Sequence, residues 1–136
     1  MVDHFYNSSL SLVIPVYNEE KIIEECVRTS YRHLSVFFQD FELIIVNDGS
    51  SDNTPDILSE LEKEFEKLTI LKNHFNRGIA FSLLRGLKYC SKDYIMHNGA
   101  DSPFKMEDIG KVFPLIKDYD ILVITRNFLV IIRKSK

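Results

Sequence analysis

The chain has 136 residues, of which 45% are apolar and 27% are charged, and its formal net charge at pH 7 is −3. This length and balance predict one globular domain with a core of its own, and they exclude a chain that is disordered throughout. A negative net charge with no basic face argues against nucleic acid as a partner.

The cysteines and the hydropathy of the chain indicate the cellular compartment in which we expect the protein. Cys26 and Cys90 fall in apolar helical patterns without metal-ligand spacing, which is typical of core thiols in a reducing compartment. The N-terminus lacks the features of a signal peptide. The most apolar segment, 121–132, has twelve residues and includes Arg126 and Asn127, whereas a transmembrane helix needs roughly 20 apolar residues. We expect a cytoplasmic protein, and peripheral contact with a membrane face stays open.

Short β-rich runs alternate with longer helical patterns along the chain. Strands are predicted over 10–14, 41–46, 69–71, 94–96 and 121–124. Helices are predicted over 21–38, 78–90 and 106–117, and Pro114 should kink or shorten the last of them. A further helix is predicted to start after a cap at Thr54, with Pro55 in its first position. This order predicts an α/β fold with a mostly parallel, doubly wound sheet.

Ligands of such sheets bind beyond the carboxyl ends of the strands. Three polar loops follow predicted strands, at 15–19, 47–52 and 97–103, and each carries a carboxylate. We therefore expect Tyr17, Asp48 and Asp101 to line one crevice at that edge of the sheet.

Two motifs resemble a known family. Residues 13–20 read VIPVYNEE and residues 45–54 read IVNDGSSDNT. Together they resemble the nucleotide-binding half of family 2 glycosyltransferases, which have the Rossmann-like GT-A fold, and polyprenol-phosphate sugar transferases such as dolichyl-phosphate mannose synthase are similar. The resemblance runs from about residue 10 to residue 126 and implies a single glycosyltransferase 2-like domain over 1–136, with a divergent tail at 127–136.

The resemblance implies a nucleotide-sugar site on these loops. Tyr17 offers a ring on which a base stacks, Glu19 accepts hydrogen bonds from base or ribose, and Asp48 binds base or ribose. A cap on the following helix is the alternative role of Asn18 and Glu19. The residues expected to bind the nucleotide are Pro15, Tyr17, Asn18, Glu19, Asn47, Asp48, Arg77, Gly78 and Ala100.

Two of these positions have further features. Asn47 replaces the first of two consecutive acids that are usual in the family, and an amide brings no charge to the contact. Arg77, in an asparagine-x-glycine loop, is either a partner for the diphosphate or an exposed loop residue. Gly78, Ser82 and Gly86 are spaced by four and share a helix face, where small side chains permit close approach to the sheet or the donor.

In the family, an acid-x-acid motif after the fourth strand holds a divalent metal against the diphosphate. Here Asp101 occupies the second acidic position and Gly99 replaces the first, or else Ala100 and Asp101 match a glycine-aspartate variant of the loop. Asp101 is the metal ligand that we assign, for Mg²⁺ or Mn²⁺, with weak affinity in the absence of nucleotide. His97, at a strand end, is interpreted as structural.

The implied activity is transfer of a sugar from a nucleotide-diphosphate sugar to a polyprenyl phosphate or a glycan, in cell-envelope polysaccharide or glycolipid synthesis. The alternative is a truncated or degenerate nucleotide-binding module without transfer activity. No catalytic residue is assigned, because the tail after Arg126 contains no acid that would serve as a base. That tail is expected to pack poorly or to form an edge strand, and self-association is expected to follow. The resemblance does not specify the sugar, the nucleobase or the acceptor.

Overall fold

The computed structural model describes residues 7–124 and 129–134. The described chain alternates strands and helices in the order that the sequence predicts, with one further strand at the end. The elements are β1 (Ser9–Val16), α1 (Ile23–Phe37), β2 (Asp40–Asn47), α2 (Thr54–Glu64), β3 (Leu68–Lys72), α3 (Ile79–Tyr89), β4 (Tyr94–His97), α4 (Ile109–Val112), β5 (Ile121–Ile124) and β6 (Leu129–Arg133).

The six strands form one sheet in the order β3-β2-β1-β4-β6-β5. The first four pair in parallel, and β6 pairs antiparallel with both β4 and β5. This confirms the prediction of a mostly parallel α/β sheet. Val16 of β1 is aligned with Asn47 of β2, and Val13 with His97 of β4, so the loops that follow these strands leave from one edge of the sheet.

Layers of helix cover both faces of the sheet. Leu12 and Ile14 of β1 pack in the larger core with residues of α1 and α2, whereas Val13 packs on the other face with Leu87 of α3. Burial on both faces explains why β1 and β2 read as nearly continuous apolar runs, interrupted by Ser11 and Glu42, instead of alternating patterns. Each fully buried aliphatic side chain contributes about 1.5–3 kcal/mol to folding relative to exposure.

Gly86 lets α3 lie close against the sheet. A Cβ at this position would overlap the side chain of Val13 and would come within 3.1 Å of Val46 Cγ2. Ser82, one turn earlier on the same face, is fully buried. The expected close approach of the helix to the sheet is therefore confirmed at positions 82 and 86. It is wrong for Gly78, which precedes α3 and where an added Cβ would meet nothing within 4 Å.

Several local predictions need adjustment. Pro114 does interrupt the predicted helix 106–117, which divides into a 3₁₀ turn, the short α4 and a second 3₁₀ turn. The predicted cap at Thr54 is wrong, because Thr54 is already inside α2 and Asn53 occupies the cap position. Helix α1 begins only at Ile23. The side chain of Asn18 is not a cap of α1 but binds the neighbouring loop.

Both cysteines are buried and unpaired, as expected of core thiols. Burial raises the pKa of the Cys90 thiol to about 11, and it also raises that of Cys26. None of the described helices combines the length and apolar character that crossing a bilayer requires.

The expectation for the tail is wrong for the part of it that the structure describes. Leu129–Arg133 forms β6, which lies inside the sheet between β4 and β5, and both Leu129 and Ile131 are fully buried. The exposed apolar edge is β5 instead, where Ile121 and Val123 are more than half exposed. The reason given for self-association therefore moves from the tail to β5, and self-association itself stays a prediction. Asn127 and Phe128 lie outside the described residues.

Candidate functional site

A cavity of about 380 Å³ opens at the carboxyl edge of the sheet. Its walls come from the loops after β1, β2, β3 and β4 and from the start of α3. The residues that line it are Pro15, Val16, Tyr17, Glu19, Asp48, Asn76, Gly78, Ile79, Gly99, Ala100 and Asp101. Tyr17, Asp48 and Asp101 thus share one crevice, as the order of strands and loops predicts.

The loop after β1 is fastened to the loop after β2 by hydrogen bonds in both directions. The backbone N–H of Asn18 donates to Ser50 Oγ at 2.9 Å, and the N–H of Glu19 donates to Thr54 Oγ1 at 3.0 Å. In return, the N–H of Ser51 donates to Asn18 Oδ1 at 2.8 Å. Asn18 holds a positive φ of 51°, a conformation in which asparagine is enriched. These bonds fix the position of the exposed Tyr17 ring and of Glu19 beside the cavity.

Asp48 holds the loop after β3, residues 73–78, through both oxygens of its carboxylate. Oδ1 accepts hydrogen bonds from Asn73 Nδ2 and from the N–H of Arg77, each at 2.8 Å, and Oδ2 accepts one from the N–H of Gly78 at 2.9 Å. Asn73 Nδ2 also donates to Ser82 Oγ at 2.8 Å, which ties the network to α3. The side chain of Asp48 is therefore largely used in building the cavity.

The environment of Asp48 favours its charged form. Burial raises the pKa of this carboxyl, but the hydrogen bonds from Arg77, Asn73 and Gly78 outweigh burial and hold the pKa below its ordinary value. The next residue, Gly49, has a φ of 72°, and a Cβ there would come within 2.5 Å of Asn76 N. Glycine at 49 thus allows the backbone of the loop after β3 to lie directly against the loop after β2.

Arg77 does not line the cavity, although its backbone belongs to the network. Its guanidinium lies over two aromatic rings, 5.1 Å from the centroid of Phe75 and 4.1 Å from that of Phe81. Asn47 is also away from the lining: it is buried, and its Oδ1 accepts a hydrogen bond from the N–H of Ser50 at 3.1 Å. The side chains of Asn18, Asn47 and Arg77 are therefore the ones that the structure does not bring to the cavity wall, whereas the other seven predicted site residues line it.

The loop after β4 is built differently. Asn98 closes its base, since Asn98 Nδ2 donates to the carbonyl of Phe104 at 3.0 Å and Asn98 Oδ1 accepts from the N–H of Gly99 at 2.9 Å. The tip is a turn, in which the N–H of Ser102 donates to the carbonyl of Gly99. Asp101 is exposed at this tip, and its carboxylate makes no hydrogen bond or ion pair with any residue that the structure describes.

Asp101 also borders a second cavity of about 400 Å³, which lies between this loop and α1 and is lined by Cys26 and Met106 among others. His97, the last residue of β4, is half-buried, and burial lowers its pKa. Across residues 7–124 and 129–134, no three His, Cys, Asp or Glu side chains are grouped so that they could hold a metal ion. Any cation at Asp101 must therefore take most of its ligands from elsewhere.

One residue of the site was missed by sequence reasoning. Asn73 is buried at the centre of the network, where its amide joins Asp48 to Ser82 and its Oδ1 accepts a hydrogen bond from Arg85 at 2.8 Å. It is the first residue after β3, so the rule that selects loops at carboxyl ends of strands would have found it.

Comparison with proteins of known sequence places this chain among glycosyltransferases. It is 32% identical over 117 residues to a poly-beta-1,6-N-acetyl-D-glucosamine synthase of Staphylococcus epidermidis, a match that covers 86% of this chain and 27% of the relative. It is 29% identical over 120 residues to an undecaprenyl-phosphate 4-deoxy-4-formamido-L-arabinose transferase of Pseudomonas fluorescens, covering 87% of this chain and 35% of that one. The chain thus spans about a third of the length of these curated relatives.

Solved structures show the same fold. A mannosyltransferase from Pyrobaculum calidifontis in complex with GDP-Man and Mn²⁺ has a TM-score of 0.72 at 18% identity, over 91% of this chain and 44% of the other. TarS of S. aureus in complex with UDP-GlcNAc has a TM-score of 0.66 at 24% identity, over 85% of this chain and 33% of the other. The sequence model of glycosyl transferase family 2 matches residues 11–134, through the end of β6 and beyond the point where the resemblance was expected to end. This chain belongs to glycosyl transferase family 2.

Proposed function

We propose that the chain forms the donor-binding part of a glycosyltransferase that uses a nucleotide-diphosphate sugar. The observation that carries this proposal is the cavity at the carboxyl edge, where one exposed aromatic ring and three carboxylates converge from separate loops. Tyr17 supplies a face on which a nucleobase stacks, and Glu19 supplies acceptors for a base or ribose. The two neighbours solved with GDP-Man and UDP-GlcNAc share this fold and support a ligand of that class.

The charge of the cavity supports a divalent cation. Glu19, Asp48 and Asp101 line it, and none of the described lining residues is Lys or Arg. A nucleotide diphosphate is itself anionic, so a cation between it and the carboxylates favours its binding in such a cavity. Oxygen ligands of this kind suit Mg²⁺ or Mn²⁺.

Asp101 is the residue that would hold this cation. Its carboxylate is exposed on the cavity wall, whereas that of Asp48 is engaged with Asn73, Arg77 and Gly78. One carboxylate is too few for firm metal binding, so the donor set fits a cation that the nucleotide diphosphate binds as well. A cation there supplies Lewis-acid neutralisation of the charge on the departing nucleotide.

The acceptor belongs to the proposal as a class only. The relatives named above include one that acts on undecaprenyl phosphate and one that makes a poly-N-acetylglucosamine chain, so a lipid phosphate and a glycan are both supported. A phosphate acceptor is already anionic and needs a general base less than a hydroxyl does. We further propose a cytoplasmic location, which suits two unpaired thiols.

A second function is favoured by one specific observation. Gly99 stands where the family carries the first metal-binding acid, and the described residues hold no group of three metal-binding side chains. A module that binds the nucleotide without transferring the sugar would retain Tyr17 and Asp48 and would tolerate this loss.

Calorimetric titration with UDP and GDP, each with and without Mn²⁺, tests the proposal. We expect one nucleotide to bind, and Mn²⁺ to tighten its binding about tenfold through coupled binding. Asp101→Asn should abolish the Mn²⁺ effect, while the matched variant Asp118→Asn, which changes another exposed aspartate away from the cavity, should retain it. Absence of nucleotide binding would overturn both candidate functions, and binding without turnover of the corresponding sugar donors would favour the second.

A further inference from the structure

A surface beside the donor cavity combines exposed apolar side chains with cations. We call it the α3 surface and define it by Phe75, Arg77, Phe81, Leu84 and Lys88. Arg77 lies over the rings of Phe75 and Phe81, which joins the loop to the helix. Leu84 and Lys88 follow Phe81 at helical spacing, so they continue the same face of α3. The opposite face of α3 is the one buried against the sheet.

The apolar part of this surface is open to solvent. Phe75 is 62% exposed, Leu84 is 53% exposed and Phe81 is 40% exposed. Neither of the two cavities described above is lined by these three side chains. Protruding aromatic and aliphatic groups of this kind suit a deformable apolar layer.

The charge of the segment is opposite to that of the whole chain. Residues 71–92 contain five Lys and Arg and no Asp or Glu, although the net charge of the protein is −3. Lys92 pairs with Asp40, and Arg85 donates to the carbonyl of Lys72. Arg77 and Lys88 remain exposed, with no carboxylate partner among the described residues. The local cations are therefore available to an anionic partner.

We propose that the α3 surface docks on an anionic lipid bilayer. The side chains of Phe75, Phe81 and Leu84 enter the headgroup region, and Arg77 and Lys88 meet the lipid phosphates. Charge complementarity and protruding apolar groups select a lipid surface over a folded protein, which would need a matching concave face. Docking does not depend on donor binding. Together with the proposed function, it places the cavity mouth at Ile79, the first residue of α3, beside a lipid-phosphate acceptor.

Vesicle flotation of the 136-residue chain tests this, with phosphatidylcholine vesicles and with mixed phosphatidylcholine and phosphatidylglycerol vesicles. We expect binding to the mixed vesicles only, and release at high salt. The double variant Phe75→Ser/Leu84→Ser should lower the bound-to-free ratio about tenfold. Lys88→Gln should lower it several-fold, since one basic residue near an anionic surface is worth about a factor of five.

Matched controls separate docking from general stickiness. Leu115 is 53% exposed, as Leu84 is, but lies on the far part of the chain near β5, so Leu115→Ser should leave vesicle binding unchanged. Lys117→Gln is the corresponding control for charge. Equal losses in Phe75→Ser/Leu84→Ser and in Leu115→Ser, binding to neutral vesicles, or no binding at all would overturn the proposal. Nucleotide titration of the same preparations keeps the two proposals apart, because the chain can lose either property while it retains the other.

Discussion

The two sides of the candidate donor cavity are built in opposite ways. On one side, hydrogen bonds of 2.8–2.9 Å join the loops after β1, β2 and β3. They link Asn18 to Ser50 and Ser51, and Asp48 to Asn73. On the other side, the loop after β4 is closed on itself by Asn98. No hydrogen bond among the described residues links its tip, residues 99–102, to the loops opposite.

This difference separates residues that shape the cavity from residues that remain available to a ligand. A carboxylate that already accepts three hydrogen bonds, as Asp48 does, has little capacity left for an incoming base or ribose. The carboxylate of Asp101 has all of its capacity left. Family resemblance assigns contact roles to both aspartates, whereas the geometry gives Asp48 mainly a supporting role and gives Asp101 the exposed position.

The largest difference between the two sides is expected when the carboxylates of Asp48 and Asp101 are removed in turn. Asp48→Ala leaves the N–H groups of Arg77 and Gly78 and the amide of Asn73 without their acceptor, so we expect a loss of about 3 kcal/mol in the free energy of unfolding. Asp101→Ala should change it by less than about 0.5 kcal/mol. Urea denaturation measures both. Similar losses in the two variants would show that the two sides do not differ as described.

The pH dependence of stability sharpens the same contrast. The pKa of Asp48 lies below its ordinary value in the folded chain, so its contribution is fully present above the unfolded pKa of about 3.9. That contribution is lost as the pH falls from there through the folded pKa. Urea midpoints between about pH 2 and pH 6 should fall less steeply with acid in Asp48→Asn than in the unsubstituted chain. Parallel curves would contradict a lowered pKa at this position.

The sequence predicted most of the supporting framework because its signals are local. The long apolar runs of β1 and β2 and the polar loops at their ends specify buried strands and one functional edge. The role of Asn73 was not predictable from its own neighbours. Its amide reaches Asp48, 25 positions earlier, and Ser82 on α3, and such contacts exist only once β3 is paired beside β2.

The position of β6 illustrates the same limit. Residues 129–133 read as an apolar strand whether they lie at an edge or inside the sheet, because the alternation along a strand does not encode its neighbours. In the structure, β6 is inserted between β4 and β5, so Leu129 and Ile131 are buried while Ile121 and Val123 of the edge strand are exposed. Strand order is a property of the whole sheet, and the tail was therefore misplaced.

A moderate effect is expected from adding a second metal-binding side chain to the loop after β4. A Cβ at Gly99 would lie 2.8 Å from Asp101 Oδ1, the movable end of a side chain, and 3.2 Å from Pro103 Cδ. Gly99→Asp therefore requires the Asp101 carboxylate to turn and the proline ring to shift slightly. Two neighbouring carboxylates should raise the affinity for Mn²⁺ in the absence of nucleotide about tenfold. Calorimetric Mn²⁺ titration without nucleotide measures this. The gain should vanish when Asp101→Asn is added, and a gain that persists there would place the cation elsewhere.

The smallest effect is expected at the two non-glycine residues of the described chain that have a positive φ, one on each side of the cavity: Asn18 at 51° and Ser102 at 54°. Glycine relieves the backbone cost at both positions but adds entropy to the unfolded chain. Asn18→Gly also removes the acceptor for the N–H of Ser51, so we expect a loss of about 1 kcal/mol. The tip that holds Ser102 has no such bond across the cavity, and Ser102→Gly removes only the contact of its hydroxyl with the Cys26 thiol, so the change should be less than about 0.5 kcal/mol. Urea denaturation of the two variants measures this. A larger loss in the free energy of unfolding for Asn18→Gly than for Ser102→Gly is expected if only the side with Asn18 is bonded across the loops, and equal losses would contradict that difference.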